Sequence, residues 1–290
     1  MEDHHGFFQV LKSLQIISNW LDNGLYIYRD NNLTKIQNPL SIRFPMIFIF
    51  STKKGKRATY KKCSIRFGDW SKKSIFLFDD KVVSFYKHED SESWLSNMKK
   101  YLEDCNYPRC KYFEIDEQKR ISICSRENGH ASYQNLDFLA KEILRYNKTM
   151  PKYLNHQYSK EICHRFSRFR IDNLVSYVQH GDAARGNILS DDVGYRFIDF
   201  DTIDIFPAFF DFFRLLLDFG GGMKLFYDGF FDQELSAVLE PCDIALSVEQ
   251  KDKYLAAFLT FKEEWSRRFP YQDIPEEYIL TKKVLQTIVT

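Results

Sequence analysis

The sequence predicts an α+β protein, with a mainly antiparallel sheet followed by a mainly helical region. Three observations lead there. Runs with period-two alternation crowd residues 61–127, and helix-period runs dominate from residue 135 onward. Between them the polar stretch Glu127-Asn128-Gly129-His130-Ala131-Ser132-Tyr133-Gln134 breaks the pattern. This sets an N-terminal lobe over 1–128 and a C-terminal lobe over 129–290.

The elements follow in order. Phe7, Leu11, Leu14 and Ile17 recur at helical spacing over 6–22, and Asn23-Gly24 stops them. Residues 23–60 read as irregular, with one strand around Met46-Ile47-Phe48-Ile49-Phe50, so 1–60 is expected to form a helical extension. The sheet proper lies in 61–128. Its first three strands are 61–67, 74–78 and 81–87, joined by Gly68-Asp69-Trp70-Ser71-Lys72-Lys73 and by Asp79-Asp80. A helix over 91–105 follows, with Ser91 as its cap. Strands over 110–116 and 120–127 complete a sheet of about five strands. Beyond the boundary, helices are expected over 135–147, 158–168, 208–219 and 247–268.

Composition narrows the function classes. With 44% hydrophobic and 28% charged residues the 290-residue chain is globular. A net charge of +1 gives no basic field for a dedicated nucleic-acid binder. The six cysteines form no Cys-x-x-Cys pair, and buried free thiols are expected. The opening lacks the layout of a signal peptide. The apolar run from Phe206 to Phe231 is broken by Asp211, Arg214 and Asp218, so no membrane span is expected and the chain reads as cytoplasmic.

The chemistry concentrates in two short stretches. His180-Gly181-Asp182 is followed five residues after the Asp by Asn187, and Ile198-Asp199-Phe200-Asp201 comes after a short turn. A loop carboxylate such as Asp182 can orient a hydroxyl and take its proton. Asn187 offers a neutral oxygen and Asp199 a charged one, which suits a magnesium ion that keeps waters and phosphate oxygens. Base, Asn and metal-binding Asp in this order are the parts of a phosphoryl-transfer site. The plain structural alternative is an Asx turn at Asp182, a helix cap at Asn187 and a hairpin over 190–195. The four fixed positions of His-Gly-Asp-x-x-x-x-Asn would arise by chance in roughly one chain in a thousand, which favours the functional reading.

The two stretches resemble the aminoglycoside phosphotransferase and choline kinase family, over roughly residues 60–220. The resemblance implies a two-lobed protein-kinase-like fold, Asp182 as catalytic base, and Asn187 and Asp199 as Mg2+ ligands. It implies ATP or GTP as co-substrate. It also matches Asp211 to an acidic residue that opens a helix and braces the catalytic loop, where an N-cap role would be natural. In the N-terminal lobe, Lys87 would hold the α- and β-phosphates, with Lys81 as a competitor. Glu92 would pair with that lysine, ahead of Glu89 and Glu103. The loop from Gly68 would cover the phosphates, and the backbone around Glu127 would hold the adenine.

Several positions depart from the family pattern. The loop after Gly68 has a single glycine, Ala184-Arg185 stand where many members have His-Pro, and no basic residue sits two after Asp182, where protein kinases place a lysine. Arg185 would supply the missing positive charge, or be a surface arginine. Asp201 would be a further metal ligand or a turn residue.

Gly181 replaces the Arg of protein kinases, and only a short segment separates Asp199 from Asp211, so a small hydroxylated acceptor is favoured over a peptide. Asp232, Glu234, Glu240, Asp243 and Glu249 would greet a cationic aminoglycoside or choline, or be solvated faces. Trp265, Phe269 and Tyr271 would wall a sugar, or pack in the core. The expected activity is transfer of the γ-phosphoryl group to a hydroxyl of an aminoglycoside, amino alcohol or sugar. The alternative is a catalytically weak kinase-like binding or scaffold protein.

Overall fold

In the computed structural model, residues 21, 24–29, 32–35, 46–49, 62–67, 73–86, 91–127, 129–131, 135–154, 174–191, 194–218 and 221–268 are described. The chain divides into two compact units, Met1–Ser96 with Cys110–Asn128, and Asn97–Arg109 with Gly129–Thr290.

Among the described residues the first unit has eight strands: β1 (Gly24–Arg29), β2 (Asn32–Lys35), β3 (Met46–Ile49), β4 (Lys62–Phe67), β5 (Lys73–Leu77), β6 (Lys81–Tyr86), β7 (Tyr112–Asp116) and β8 (Ile121–Ser125). They form one sheet in the order β3-β1-β2-β4-β5-β6-β8-β7, and every pair is antiparallel. The Phe78 amide bonds Lys81 O at 2.9 Å, so Asp79-Asp80 closes a two-residue hairpin. Ser74, Phe76 and Phe78 are buried at alternate positions, as period-two geometry requires of one sheet face.

The sheet is wider than the five strands expected. β1 and β2 arise in a segment read as irregular, where Arg29 pairs with Asn32 across the Asp30-Asn31 link. β2 buries only Leu33, so it carries no alternating run to read. The first helix, α1 (Ser91–Tyr101), starts at Ser91 itself, so Ser91 opens the helix instead of preceding it as a cap. Leu95, Met98 and Tyr101 form its buried stripe.

The second unit is mainly helical. It has two three-stranded sheets, β10 (Tyr153–Leu154), β11 (Val175–Gln179) and β14 (Asp204–Pro207) in one, and β9 (His130–Ala131), β12 (Ile188–Asp191) and β13 (Gly194–Phe197) in the other. Its helices are α2 (Leu136–Thr149), α3 (Phe210–Leu217), α4 (Gly222–Tyr227), α5 (Asp232–Leu239) and α6 (Val248–Arg268). α2, α3 and α6 fall where helix periodicity puts them. α4 and α5 are short and were not anticipated. The expected helices over 6–22 and 158–168 lie outside the described residues.

α3 is buried on nearly every side; of its eight residues only Arg214 is partly exposed. A helix apolar all round must be wrapped by its neighbours. The wrapping is aromatic. Phe210 meets Phe258 at 4.9 Å, Phe212 meets Phe231 at 5.1 Å and Phe213 meets Phe226 at 5.2 Å, all edge-on. Each such pair adds about 0.5–1.5 kcal/mol beyond burial, so α3 is a rigid axle for whatever its polar residues hold. The described cysteines are free thiols, and burial pushes Cys63 and Cys105 up to about 12. Among the described residues no helix is long and apolar enough to cross a membrane.

Candidate active site

The His180–Asn187 loop leaves β11, whose five residues are all buried. Its backbone is fixed from below by α3. Asp211, fully buried, accepts the His180 amide at 2.7 Å on Oδ2 and the Gly181 amide at 2.9 Å on Oδ1. Its own amide donates to Gln179 Oε1 at 3.1 Å, and the Gln179 Nε2 donates to Pro207 O at 2.8 Å. Burial pushes the Asp211 carboxyl above its usual range, against the pull of the two amide bonds.

Asp211 is therefore not the N-cap of its helix. Phe209 holds that position in the left-handed region, with φ 68°, and its amide donates to Tyr177 Oη at 2.8 Å. The Asp211 carboxylate serves the two loop amides instead, which as buried donors need an acceptor.

His180 and Gly181 shape the turn. His180 Nε2 lies 2.7 Å from Ile198 O, and a carbonyl only accepts, so Nε2 carries the proton. Nδ1 then accepts the Asp182 amide at 3.2 Å. Gly181 has φ +83°, and a Cβ there would stand 2.4 Å from Thr202 O. Only glycine fits without displacing the backbone. Thr202 Oγ1 also donates to His180 O at 2.9 Å, tying the loop to the 3-10 turn Phe200–Thr202.

Asp182 and Asn187 are directly coupled. Asn187 Nδ2 donates to Asp182 O at 2.9 Å and to Asp182 Oδ2 at 3.2 Å, which leaves Oδ1 as the atom Asn187 can offer elsewhere. Asn187 O accepts the Ile198 amide at 2.9 Å, so Asp199 follows directly on a residue bonded to Asn187. The link is the β12–β13 hairpin, in which Ile188 pairs with Phe197. The hairpin of the plain structural reading is thus present, and it connects the two motif halves. Asp199 is itself in the left-handed region, with φ 66°.

The other oxygen of Asp182 is held by residues that pattern reading missed. Arg214 Nε donates to Asp182 Oδ1 at 2.8 Å, and its Nη1 donates to Asp218 Oδ1 at 2.5 Å. Asp218 Oδ2 accepts the Arg185 amide at 2.9 Å. Lys262 Nζ, from α6, stands 3.9 Å from Asp182 Oδ1. Burial raises the Asp182 carboxyl, but the charges of Lys262 and Arg214 and the Arg214 hydrogen bond outweigh it and hold it below its ordinary value. Burial lowers Lys262 to about 8 despite the attraction of Asp182. A signal for Arg214 exists, since it lies one turn after Asp211 and one turn before Asp218. Nothing local marks Lys262.

The remaining candidates are scattered or undescribed. Glu127 Oε1 accepts Ser125 Oγ at 2.6 Å. Glu92 is exposed in the first turn of α1. Arg185 is half-buried, and what binds Asp218 is its amide. Asp201 is half-buried in the Phe200–Thr202 turn. Gly68, Lys87, Glu89, Phe269 and Tyr271, and the side chain of Trp265, lie outside the described residues. Three acids offered for a cationic acceptor are in ion pairs, Asp232 with Lys251 at 2.7 Å, Glu234 with Lys141 at 3.3 Å and Glu249 with Lys253 at 2.8 Å.

Comparison with solved structures finds choline kinase LicA from Streptococcus pneumoniae, at 12% identity over 78% of this chain and 92% of that one, with a TM-score of 0.47. It also finds aminoglycoside 2'-phosphotransferase-IIIa, at 15% identity over 78% and 93%, with a TM-score of 0.48. A glucosamine kinase follows at 11% identity over 78% of each chain, with a TM-score of 0.44. No curated protein sequence matches the chain. The model of the phosphotransferase enzyme family matches residues 131–243, the stretch that holds Asp182, Asn187, Asp199, Asp211 and Arg214. That segment carries the signature of the phosphotransferase enzyme family, the one its His-Gly-Asp and Asp-Phe-Asp motifs resemble.

Proposed function

We propose that the chain is an ATP- and Mg2+-dependent phosphotransferase acting on a hydroxyl of a small molecule. One observation carries the reading. Asn187 binds both the backbone and the carboxylate of Asp182 through one amide nitrogen, and its carbonyl is bonded to the residue before Asp199. The Asp182 and Asn187 side chains are thereby bonded to each other, and the backbone just before Asp199 is bonded to Asn187.

The donor set suits a hard cation. Asn187 spends its nitrogen on Asp182 and keeps its oxygen, and Asp199 adds a carboxylate. Among the described residues no three His, Cys, Asp or Glu side chains gather, and a magnesium held largely through phosphate oxygens needs no such group. When bound by Asn187 and Asp199, the ion supplies charge neutralisation at the β- and γ-phosphates.

Asp182 accepts the hydrogen bond of the acceptor hydroxyl and aims its oxygen at the γ-phosphorus. It then takes the proton as the new O–P bond forms and the bond to ADP breaks in line. Asp211 holds the His180 and Gly181 amides, the two residues just before Asp182, throughout. Lys87 with Glu92, the loop from Gly68 and the backbone at Glu127 are proposed to hold the nucleotide. Arg185 is proposed as a further cation near the reacting group. The acceptor class includes aminoglycosides, amino alcohols and sugars.

A second reading, a nucleotide-binding module with little turnover, is favoured by the engagement of both Asp182 oxygens, since an Arg-paired carboxylate is a weaker base. A thermal shift with ATP, with and without magnesium, tests the first step. Saturation at 100 times Kd adds about 2.7 kcal/mol to stability. A magnesium-dependent rise that vanishes in Asp199→Ala supports the site, and no rise with ATP or GTP overturns it. Phosphate release or acceptor phosphorylation then separates the enzyme from the binding module.

A further inference from the structure

We infer that Arg214 is a positioning residue for phosphoryl transfer, a guanidinium that fixes the angle at which Asp182 presents its carboxylate to the acceptor hydroxyl. The inference rests on the phosphotransferase reading.

A match of register lies behind it. Asp211, Arg214 and Asp218 stand at i, i+3 and i+7 on α3 and its C-cap, the spacing that puts three side chains on one helix face. They meet the loop in chain order. Asp211 accepts the His180 and Gly181 amides, Arg214 donates to the Asp182 carboxylate, and Asp218 accepts the Arg185 amide. Aromatic rings wrap the rest of the helix, so this face is a stiff rail along the loop. Asp211 and Asp218 grip its backbone. Of the three, only Arg214 grips a side chain of the loop, and that side chain is the proposed base.

Two bonds fix the Asp182 carboxylate. Arg214 Nε reaches Oδ1 at 2.8 Å, and Asn187 Nδ2 reaches Oδ2 at 3.2 Å. The first joins two opposite charges and is the shorter, so it dominates. With both oxygens held, the carboxylate cannot turn about its Cβ–Cγ bond. Asp218 Oδ1 accepts Arg214 Nη1 at 2.5 Å and keeps the guanidinium from following Asp182 if it swings. Lys262 and His180 also act on Asp182 through charge, but the bonds that orient its oxygens come from Arg214 and Asn187. The Asp182 side chain is still 37% exposed, so it is held without being covered. A carboxylate has about four lone-pair sites, which leaves room for a hydroxyl on either oxygen.

The pairing weakens Asp182 as a base, and that is why it favours the binding-module reading. In phosphoryl transfer the loss costs little, because the transition state is loose and catalysis is mostly positioning. The acceptor oxygen must lie in line with the bond to ADP. Its proton passes to an Asp182 oxygen, the new O–P bond forms, and the electron pair of the broken O–P bond leaves with ADP. Arg214 keeps its own protons throughout. A fixed carboxylate aims the hydroxyl, and a rotating one does not.

The test uses the full chain and the variants Arg214→Met, Arg214→Lys and Asp218→Asn. Three quantities are measured: kcat and KM for Mg-ATP from phosphate release with water as acceptor, the melting-temperature rise with Mg-ADP, and the further rise that aluminium fluoride adds. Arg214→Met should lower kcat by about tenfold or more, with KM held within about twofold, as expected for a group that aims the reacting atoms. It should keep the Mg-ADP rise and lose the aluminium fluoride increment, a split that a merely structural brace would not produce. Arg214→Lys retains the charge but not the fork and should lose nearly as much rate. Asp218→Asn releases one end of the guanidinium and should fall between. A kcat for Arg214→Met at or above the wild-type value overturns the inference, since base strength would then outweigh orientation. A wild-type kcat for Arg214→Lys overturns it by showing that charge suffices. Loss of the Mg-ADP rise together with kcat overturns it as well, by marking a collapse of the whole site. If Arg214→Met does not fold, Asp218→Asn decides: a lower kcat at unchanged KM supports the inference, and a wild-type kcat overturns it. If the wild type neither responds to Mg-ATP nor releases phosphate, the phosphotransferase reading falls and this inference falls with it.

Discussion

Arg214 joins Asp182 to Asp218 with two different nitrogens, Nε at 2.8 Å and Nη1 at 2.5 Å. This fork is specific to a guanidinium, since a lysine has one nitrogen and cannot span both carboxylates in the same geometry. Arg214→Lys is therefore expected to behave more like Arg214→Met than like the wild type. Both variants should lose about 1–3 kcal/mol, less than a fully buried pair because the partners are partly exposed. Urea denaturation of the two variants beside the wild type checks this, and a wild-type midpoint for Arg214→Lys would refute it.

Asp211 is the acceptor for two loop amides, at His180 and Gly181. Asp211→Ala leaves both buried and unpartnered, at about 1–3 kcal/mol each. Asp211→Asn keeps one acceptor oxygen and should retain roughly half of that stability. The ordering wild type, Asn, Ala should appear in denaturation midpoints, and Mg-ATP turnover should fall in the same order as the loop loosens.

Two glycines of the same loop give a paired control. At Gly181 a Cβ would meet Thr202 O at 2.4 Å with φ +83°, whereas at Gly186 a Cβ would meet nothing within 4 Å. Gly181→Ala should destabilise by about 2 kcal/mol or more, and Gly186→Ala should be neutral or slightly stabilising. Equal melting temperatures for the two variants would contradict the turn geometry.

Lys262 gives a pH dependence with a definite sign. Its folded value is lowered to about 8 from 10.5, so below pH 8 the folded protein carries the full penalty of a charged, buried ammonium. Between about pH 8 and 10.5 the unfolded chain binds more protons, and this contribution to stability rises with pH. Comparing Lys262→Met with the wild type isolates it from the other lysines. The variant should be more stable at pH 7, by at most about 3 kcal/mol, and the gap should close toward pH 10. A gap independent of pH would show that Lys262 is not desolvated as its position implies.

Much of this protein is written locally. The alternation in Ser74-Ile75-Phe76-Leu77-Phe78 and the Asp79-Asp80 link determine a hairpin of the sheet, because strand period and turn length act over a few residues. Helix periodicity does the same for α2, α3 and α6. The spacing of Asp182, Asn187 and Asp199 was legible as one connected unit because a single hairpin joins the two halves. β1, β2 and Ser91 escaped, since β2 buries a single residue and leaves no alternating run, and a helix start shifts by one position without changing its pattern.

Tertiary structure alone decided what surrounds Asp182. Arg214 reaches it across 32 residues, and Lys262 comes from α6, with no spacing rule to connect either to the loop. The direction of the Asp211 side chain was likewise open until β11 and α3 came together and left two amides needing an acceptor. Periodicity encodes which face of an element is buried. It does not encode which element lies opposite, and the electrostatics of this site depend on that opposing element.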